Sequence, residues 1–182
     1  AHDAALILKH IAHGGDDSLV CQAAVNADVD LSASIEAMDA SLILQYVVHL
    51  QDSLPVDASE PALLASGDIS VSDATVSGGD ILEVPIILDL AENIFSFEGE
   101  ISYDPEMMTP VAEGISWIGE LSGFALELDA EEMGHIKFAG ASSNAIAQSG
   151  VSALIQFQMH ADFSQDDVTE VVIESMKLNG NI

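Results

Sequence analysis

The hydrophobic pattern of the chain changes its period once, near residue 67, and this change divides the chain into two parts. In residues 1–50, apolar side chains recur at helical spacing behind Asp3 and again behind Asp39. Each aspartate stands where an N-cap residue would accept hydrogen bonds from the first helical turn, and a glycine pair at 14–15 is a stop signal for the first helix. The sequence therefore predicts helices in the first part, followed by a linker at residues 51–66.

Residues 67–182 form a series of short candidate strands with turn residues between them. The candidates are 69–76, 81–90, 95–103, 109–112, 123–128, 135–141, 151–160 and 168–178. Their even spacing is typical of an antiparallel sandwich or jelly roll. The nearly continuous apolar run at 81–90 predicts a strand buried on both faces. The predicted fold class is thus a two-module chain, α followed by all-β.

The helical part contains an internal repeat. Residues 1–11 (AHDAALILKHI) align with residues 37–47 (AMDASLILQYV) at a spacing of 36, and seven of the eleven positions are identical or nearly so. The repeat indicates two copies of one helical building block.

The twelve residues 28–39 (DVDLSASIEAMD), which lead into the second copy, have the pattern of a calcium-binding loop. Calcium takes six to eight oxygen ligands, and every second side chain of this loop carries oxygen. The predicted ligands are the carboxylates of the acids, the hydroxyl of Ser32 and the backbone carbonyl of Ser34, with Asp3 as the equivalent of Asp39 in the first copy: Asp28, Asp30, Ser32, Ser34, Glu36, Asp39 and Asp3.

Two positions depart from the usual calcium loop. Ala33 stands where a glycine normally makes the sharp turn, and a positive φ there would cost alanine about 1 kcal/mol. Ser32 replaces a usual Asp or Asn, which removes a charge. An acidic helix-capping turn without metal is therefore the alternative interpretation.

The charge of the chain excludes several functions. There are 31 acidic residues against three lysines, and the formal net charge is −28. Such a surface repels nucleic acid and anionic lipid headgroups. With a mean hydropathy of +0.34 the chain is too hydrophobic to be disordered, and no window is long enough for a membrane span. We expect a folded, secreted protein that binds cations, lives in saline surroundings, or both, and the start at Ala1 suggests processing or a piece of a longer chain.

The sequence contains no catalytic motif, so we expect no enzyme activity. His10 and His13 have the spacing of a transition-metal pair, but surface histidines are the simpler interpretation. Trp117, Phe124 and Tyr103 could form a sugar-stacking platform, although core packing is expected. Cys21, the only cysteine, is either a buried thiol or a link to another chain.

Two family resemblances follow from these motifs. The string DASLILQYVV at 39–48, behind a calcium loop and repeated upstream, resembles the EF-hand-type dockerin module over residues 1–50, with an incomplete first repeat. Residues 67–182 are similar to a cohesin, a jelly-roll β-sandwich, through SGGDILEVPI at 77–86, FSFEGEISYDP at 95–105 and VVIESMKLN at 171–179. Dockerins bind cohesins, and the resemblance implies partner contacts at the two residues before each closing aspartate: Ala37, Met38, Ala1 and His2.

The two ends of the chain suggest a head-to-tail contact. Asn179 to Ile182, joined through one further residue to Ala1, would match the second half of a dockerin calcium loop, although Ser175 and Lys177 would be poor ligands in its first half. Asn179 and Ile182 are therefore further partner-binding candidates, in a tandem polyprotein or between subunits of a filament.

The predicted function is non-catalytic, calcium-dependent protein–protein assembly outside the cell, through dockerin–cohesin type contacts in a scaffold or in self-assembling fibres. The partner would be a cohesin or dockerin of the same or another chain. The alternatives are a carbohydrate-binding or adhesive module of a larger secreted enzyme, and a structural spacer.

Overall fold

The computed structural model describes residues 2–15, 19, 22–56, 66–72, 74–117, 119–146, 148–162 and 168–179. Three helices come first: α1 (His2–Ala12), α2 (Gln22–Ala27) and α3 (Ala37–Val47). Among the described residues, no helix has the length and apolar character needed to cross a bilayer.

Eight strands follow and pair into two antiparallel sheets. Sheet A has the order β1-β2-β7-β4 and sheet B the order β5-β6-β3-β8. The strands are β1 (Ser66–Val71), β2 (Ile81–Glu92), β3 (Ile94–Tyr103), β4 (Met108–Trp117), β5 (Ala125–Asp129), β6 (His135–Ile146), β7 (Gly150–Met159) and β8 (Val171–Leu178). The predicted sandwich is confirmed, and each candidate strand overlaps an observed one.

The sandwich core lies between the inner faces of the two sheets. It includes Val84 and Ile155 from sheet A and Phe97, Ile101 and Ile136 from sheet B, all nearly fully buried. Strand β2 alternates between buried and more exposed residues instead of being buried on both faces, and Ile81 remains half exposed. The prediction for 81–90 was wrong because the apolar run does not show whether a second layer covers sheet A.

Two glycines on the inner face of sheet B each lie opposite a phenylalanine. Gly140 pairs with Phe97 and Gly99 with Phe138 across β3 and β6. A Cβ on Gly99 would lie 2.8 Å from the Phe138 ring, and one on Gly140 would clash with Phe97 and Leu126. These glycines therefore leave the space that the rings fill.

The helices cover the outer face of sheet B. Helix α1 packs on β5 and β6, and α3 packs on β3, β6 and α1. Because side chains alternate along a strand, residues 136, 138 and 140 of β6 face the core, whereas Ala139 and Ala141 belong to the helical cluster with Ile7, Leu8 and Ala40. The helices and the sandwich thus share one apolar contact layer.

The segment after α3 partly belongs to the helices. In the predicted linker 51–66, Leu54 and Val56 pack against the helical cluster, and the Val56 amide donates to the Val29 carbonyl at 2.7 Å. Residues 57–65 lie outside the described residues, and Ser66 already begins β1.

We predict that Gly140→Ala destabilises the sandwich by about 1–3 kcal/mol, because the new methyl group overpacks the space filled by Phe97 and Leu126. Gly123→Ala is the control, since its Cβ would meet nothing within 4 Å, and it should change stability by no more than about 0.5 kcal/mol. Urea unfolding of both variants measures the difference. Equal effects would contradict the packing at Gly140.

Candidate functional site

The acidic loop ahead of α3 is folded around its own carboxylates. The Asp28 carboxylate accepts hydrogen bonds from the amides of Ser32 at 2.9 Å and Ala33 at 3.0 Å, and Asp30 accepts a second contact from the Ser32 amide at 2.9 Å. Leu31 and Ala33 have positive φ of 59° and 71°. Ala33 therefore adopts the left-handed conformation that glycine normally supplies at this position of a calcium loop.

Asp39 closes this loop from inside the helix. It is fully buried, and its carboxylate accepts from the amides of Val29 at 2.7 Å, Glu36 at 2.9 Å and Asp30 at 3.4 Å. The predicted N-cap position was wrong by three residues, because Glu36 is the N-cap and Asp39 is the third residue of α3. From there Asp39 reaches backward to the loop amides.

Burial raises the pKa of Asp39 from 3.8 to about 7, and the nearby Asp30 charge adds to the rise. The three backbone hydrogen bonds oppose it without cancelling it. A carboxylate kept ionised here needs a compensating positive charge.

The side chains of Asp28, Asp30 and Asp39 converge, with one carboxylate oxygen from each lying within 4.8 Å of the others. Oxygens that share a calcium ion at 2.3–2.6 Å lie up to about 5 Å apart, so this spacing suits one ion. In the part of the chain that the structure describes, none of the three forms an ion pair with a lysine or histidine. The donor set therefore fits a hard divalent cation.

The other predicted ligands are not members of this carboxylate cluster. The Ser32 hydroxyl is 3.3 Å from the Ser34 carbonyl, so these two oxygens are adjacent in the loop. Glu36 instead turns toward the sandwich, where its carboxylate is 3.7 Å from Lys177 Nζ. Asp3 is exposed in the first turn of α1 and is not part of the carboxylate cluster.

Helix α3 makes polar contacts with sheet B directly after the loop. The Ala37 amide donates to Glu98 Oε2 at 3.3 Å, Ser41 Oγ donates to the Ser142 carbonyl at 2.7 Å, and Ser96 Oγ lies 3.8 Å from the Met38 sulfur. Ala37 and Met38, predicted to contact a partner, therefore lie against a sheet of the same chain.

Charged groups surround this contact. Lys177 Nζ lies 2.9 Å from Glu98 and 3.7 Å from Glu36, so it joins the sheet to the N-cap of α3. The hydrogen bond to Glu98 raises the pKa of Lys177, whereas burial raises the pKa of Glu36. At the end of α1, His13 lies 3.4 Å from Asp129.

Outer-face residues were not identified from the sequence. Lys177 was considered only as a poor calcium ligand, and the alanines of β6 only as strand residues. The face toward the helices, hereafter the covered face, carries small or polar side chains: Ser96, Glu98, Ala125, Glu127, Asp129, Ala139, Ala141 and Lys177. The alternation of alanine with core residues in β6 was the available signal.

Of the remaining partner-binding candidates, Asn179 is buried and its side chain forms three hydrogen bonds within the sandwich. Its amide oxygen accepts from Phe95 at 2.8 Å and Ser96 at 3.1 Å, and its amide nitrogen donates to the Asn93 carbonyl at 2.7 Å. A contact to another molecule would have to break these bonds. His2 is exposed, and the predictions for Ala1, Ile182 and Cys21 lie outside the described residues.

Two of the three aromatic residues considered for sugar stacking, Tyr103 and Phe124, pack against core phenylalanines. Tyr103 packs on Phe157 with ring centroids 5.2 Å apart, and Phe124 packs on Phe97 at 5.4 Å. The side chain of Trp117 is outside the described part. Tyr103 and Phe124 therefore serve packing, as expected.

The fold is thus an antiparallel two-sheet sandwich with helices packed on the outer face of sheet B. The sequence model of the Cohesin domain family matches residues 67–181, and the chain belongs to the cohesin family. The cohesin fold is a non-catalytic protein-interaction module.

Solved structures support the same fold. The sixth cohesin of scaffoldin B from Acetivibrio cellulolyticus, solved with a Cel5 dockerin, is 18% identical, with 62% of this chain and 84% of that chain covered and a TM-score of 0.54. The cohesin of the OlpA cohesin–dockerin complex from Clostridium thermocellum is 19% identical, with 62% of this chain and 84% of that chain covered and a TM-score of 0.54. A non-cellulosomal cohesin from Archaeoglobus fulgidus is 18% identical, with 64% of this chain and 82% of that chain covered and a TM-score of 0.54. No curated protein matches the sequence.

We predict that Ala33→Gly stabilises the helical part by about 1 kcal/mol, because glycine removes the cost of the left-handed conformation. Ala5→Gly, on the exposed side of α1, should instead destabilise by about 1 kcal/mol. Hydrogen exchange of α1 and α3 measures both effects. The same sign for the two variants would contradict the strain at Ala33.

We also predict that, in chelator, the chain loses stability relative to Asp39→Asn as the pH rises. Between pH 3.8 and about 7 the folded state keeps a proton on Asp39 that the unfolded chain has lost. This contribution is therefore fully present below about pH 4 and is lost as the pH approaches 7. Urea unfolding of both chains across this range measures it, and parallel pH profiles would refute it.

Proposed function

We propose that this cohesin-family chain is an extracellular module of calcium-dependent protein assembly, and that its helical unit (the described residues from 2 to 56) acts as a dockerin-like partner of the covered face. One observation carries the proposal. Helix α3, which begins directly after the acidic loop, lies on sheet B of a cohesin sandwich with Ser41 and Ala37 hydrogen-bonded to it.

Two observations support the dockerin-like interpretation of the helical unit. The repeat and the loop motif at 28–39 resemble a dockerin, and the left-handed turn at Ala33 places Asp28, Asp30 and Asp39 around one point. The cohesins of Acetivibrio and Clostridium named above were solved in complex with dockerins. A helical unit against a cohesin sheet is therefore the expected pairing.

Calcium supplies the positive charge that the loop lacks. Without calcium, the Coulomb repulsion between each pair of ionised carboxylates at this spacing is on the order of 3 kcal/mol at an effective dielectric constant of about 20. Asp28 and Asp30 would bind the ion through carboxylates, with Ser32, Ser34 and Asp39 adding oxygens. The ordered loop then holds the start of α3, with Ala37 and Met38, at the covered face.

The partner class in this proposal is protein. Because a cohesin sandwich and a dockerin-like unit are present in one chain, copies of the chain can assemble with each other, head to tail, into extracellular fibres or a scaffold. The net charge of −28 favours a saline setting in which cations screen the repulsion between copies.

Replacing both loop aspartates tests the calcium site. We expect the intact chain to bind calcium with a measurable heat, and Asp28→Asn/Asp30→Asn to bind at least tenfold more weakly, because two anionic ligands are lost. Asp89→Asn, at an exposed position of β2, is the control and should bind as the unmodified chain does.

Isothermal titration calorimetry, with far-UV circular dichroism in calcium and in chelator, measures binding and helix content together. Absence of both heat and a helicity change in the unmodified chain would refute the calcium dependence.

A further inference from the structure

The covered face of the cohesin sandwich is occupied by the chain's own helices. Ala139 and Ala141 are fully buried beneath α1 and α3, and the buried Ser41–Ser142 hydrogen bond joins helix to sheet across about one hundred residues of sequence. A partner that needs this face must first displace the helical unit.

The helical unit is a cover rather than part of the sandwich core. The core between the two sheets is formed by sandwich residues, whereas the helices belong to a separate cluster that reaches the sandwich through Ala125, Ala139 and Ala141. The family match also begins at residue 67, after the helices. Removal of the helices therefore exposes small side chains and polar groups without opening the core.

The contacts beneath the helices join charged and polar groups of the sheet to matching groups of the helical unit. Lys177 is one of only three lysines among 31 acids, and it is held between Glu98 of the sheet and Glu36 at the start of α3. Ser41 donates a buried hydrogen bond to the Ser142 carbonyl, and His13 lies close to Asp129 of β5. The helical unit of a second copy carries the same groups in the same order, so it satisfies the same contacts.

We propose, on the basis of the proposed function, that the helical unit exchanges between copies: it covers its own sheet in a closed monomer and the sheet of the next copy in an assembly. The occupant of the covered face in trans is the helical unit of a second copy. Each copy then offers one free sheet and one free helical unit, a head-to-tail arrangement that forms rings or filaments.

Concentration decides between the two states. The helices and the sandwich belong to one chain, joined through the nine residues 57–65. The closed contact is therefore intramolecular and does not depend on the protein concentration, whereas the contact between copies does. Dilute chains are therefore closed, and exchange becomes favourable where copies are crowded.

A pair of complementary variants tests the exchange without competition from the closed state. Ser41→Glu places a charge on the helix side of the contact, and Ala141→Glu places one on the sheet side, where both positions are fully buried now. Both charges become hydrated when the contact opens, so each chain should open and still fold. In calcium, we expect the variants to be monomers alone and a 1:1 complex of two 19.1 kDa chains when mixed.

The controls are Ala5→Glu and Ala161→Glu, at exposed positions of α1 and of the turn after β7, whose mixture should remain monomeric. Sedimentation velocity measures the masses, and hydrogen exchange of α3 and β6 reports opening. Open variants that do not combine would overturn the exchange. Protection of α3 in both variants would also overturn it, because the contact would then tolerate a buried charge.

The outcomes separate the two proposals. Variants that bind calcium but do not combine would refute the exchange between copies and leave standing the calcium site and the docking of the helical unit on its own sheet. Loss of calcium binding in the unmodified chain would refute the function itself.

Discussion

Sheet B packs against the core on one face and against the helices on the other, and the rest of the molecule is arranged around these two contacts. Strand alternation directs Phe97 and Phe138 into the sandwich core and Ala139 and Ala141 outward. The outward alanines are small enough for helix backbones to approach closely. The helices consequently pack on this face, and strand alternation decides which side chains they contact.

The acidic loop connects charge to this packing. Asp39 is buried among backbone amides at the start of α3, and its raised pKa shows that burial disfavours its charged form. A cation held by Asp28, Asp30 and Asp39 would make that charge acceptable at neutral pH. Ion binding in the loop and docking of α3 on sheet B would then be coupled, because the same helix end takes part in both.

Much of the fold could be predicted because its signals are local. The strands of the sandwich and helices α1 and α3 follow from periodicity and turn residues, and the loop follows from oxygen-bearing side chains at alternate positions. Helix α2 was missed, since a six-residue helix carries little periodic signal. Asp39 was placed at the N-cap because sequence spacing does not show that its side chain reaches backward to Val29.

The amino-acid sequence alone determined the succession of helices and strands and the concentration of oxygen-bearing side chains in the loop, because each depends on neighbours within a few residues. Only the tertiary structure decided which sheet face the helices cover. It also decided that Lys177 forms ion pairs with Glu36 and Glu98, and that the Asn179 side chain forms hydrogen bonds within the sandwich. These contacts join residues far apart in the chain. Their formation depends on how the two sheets and the helices pack together, which no local pattern encodes.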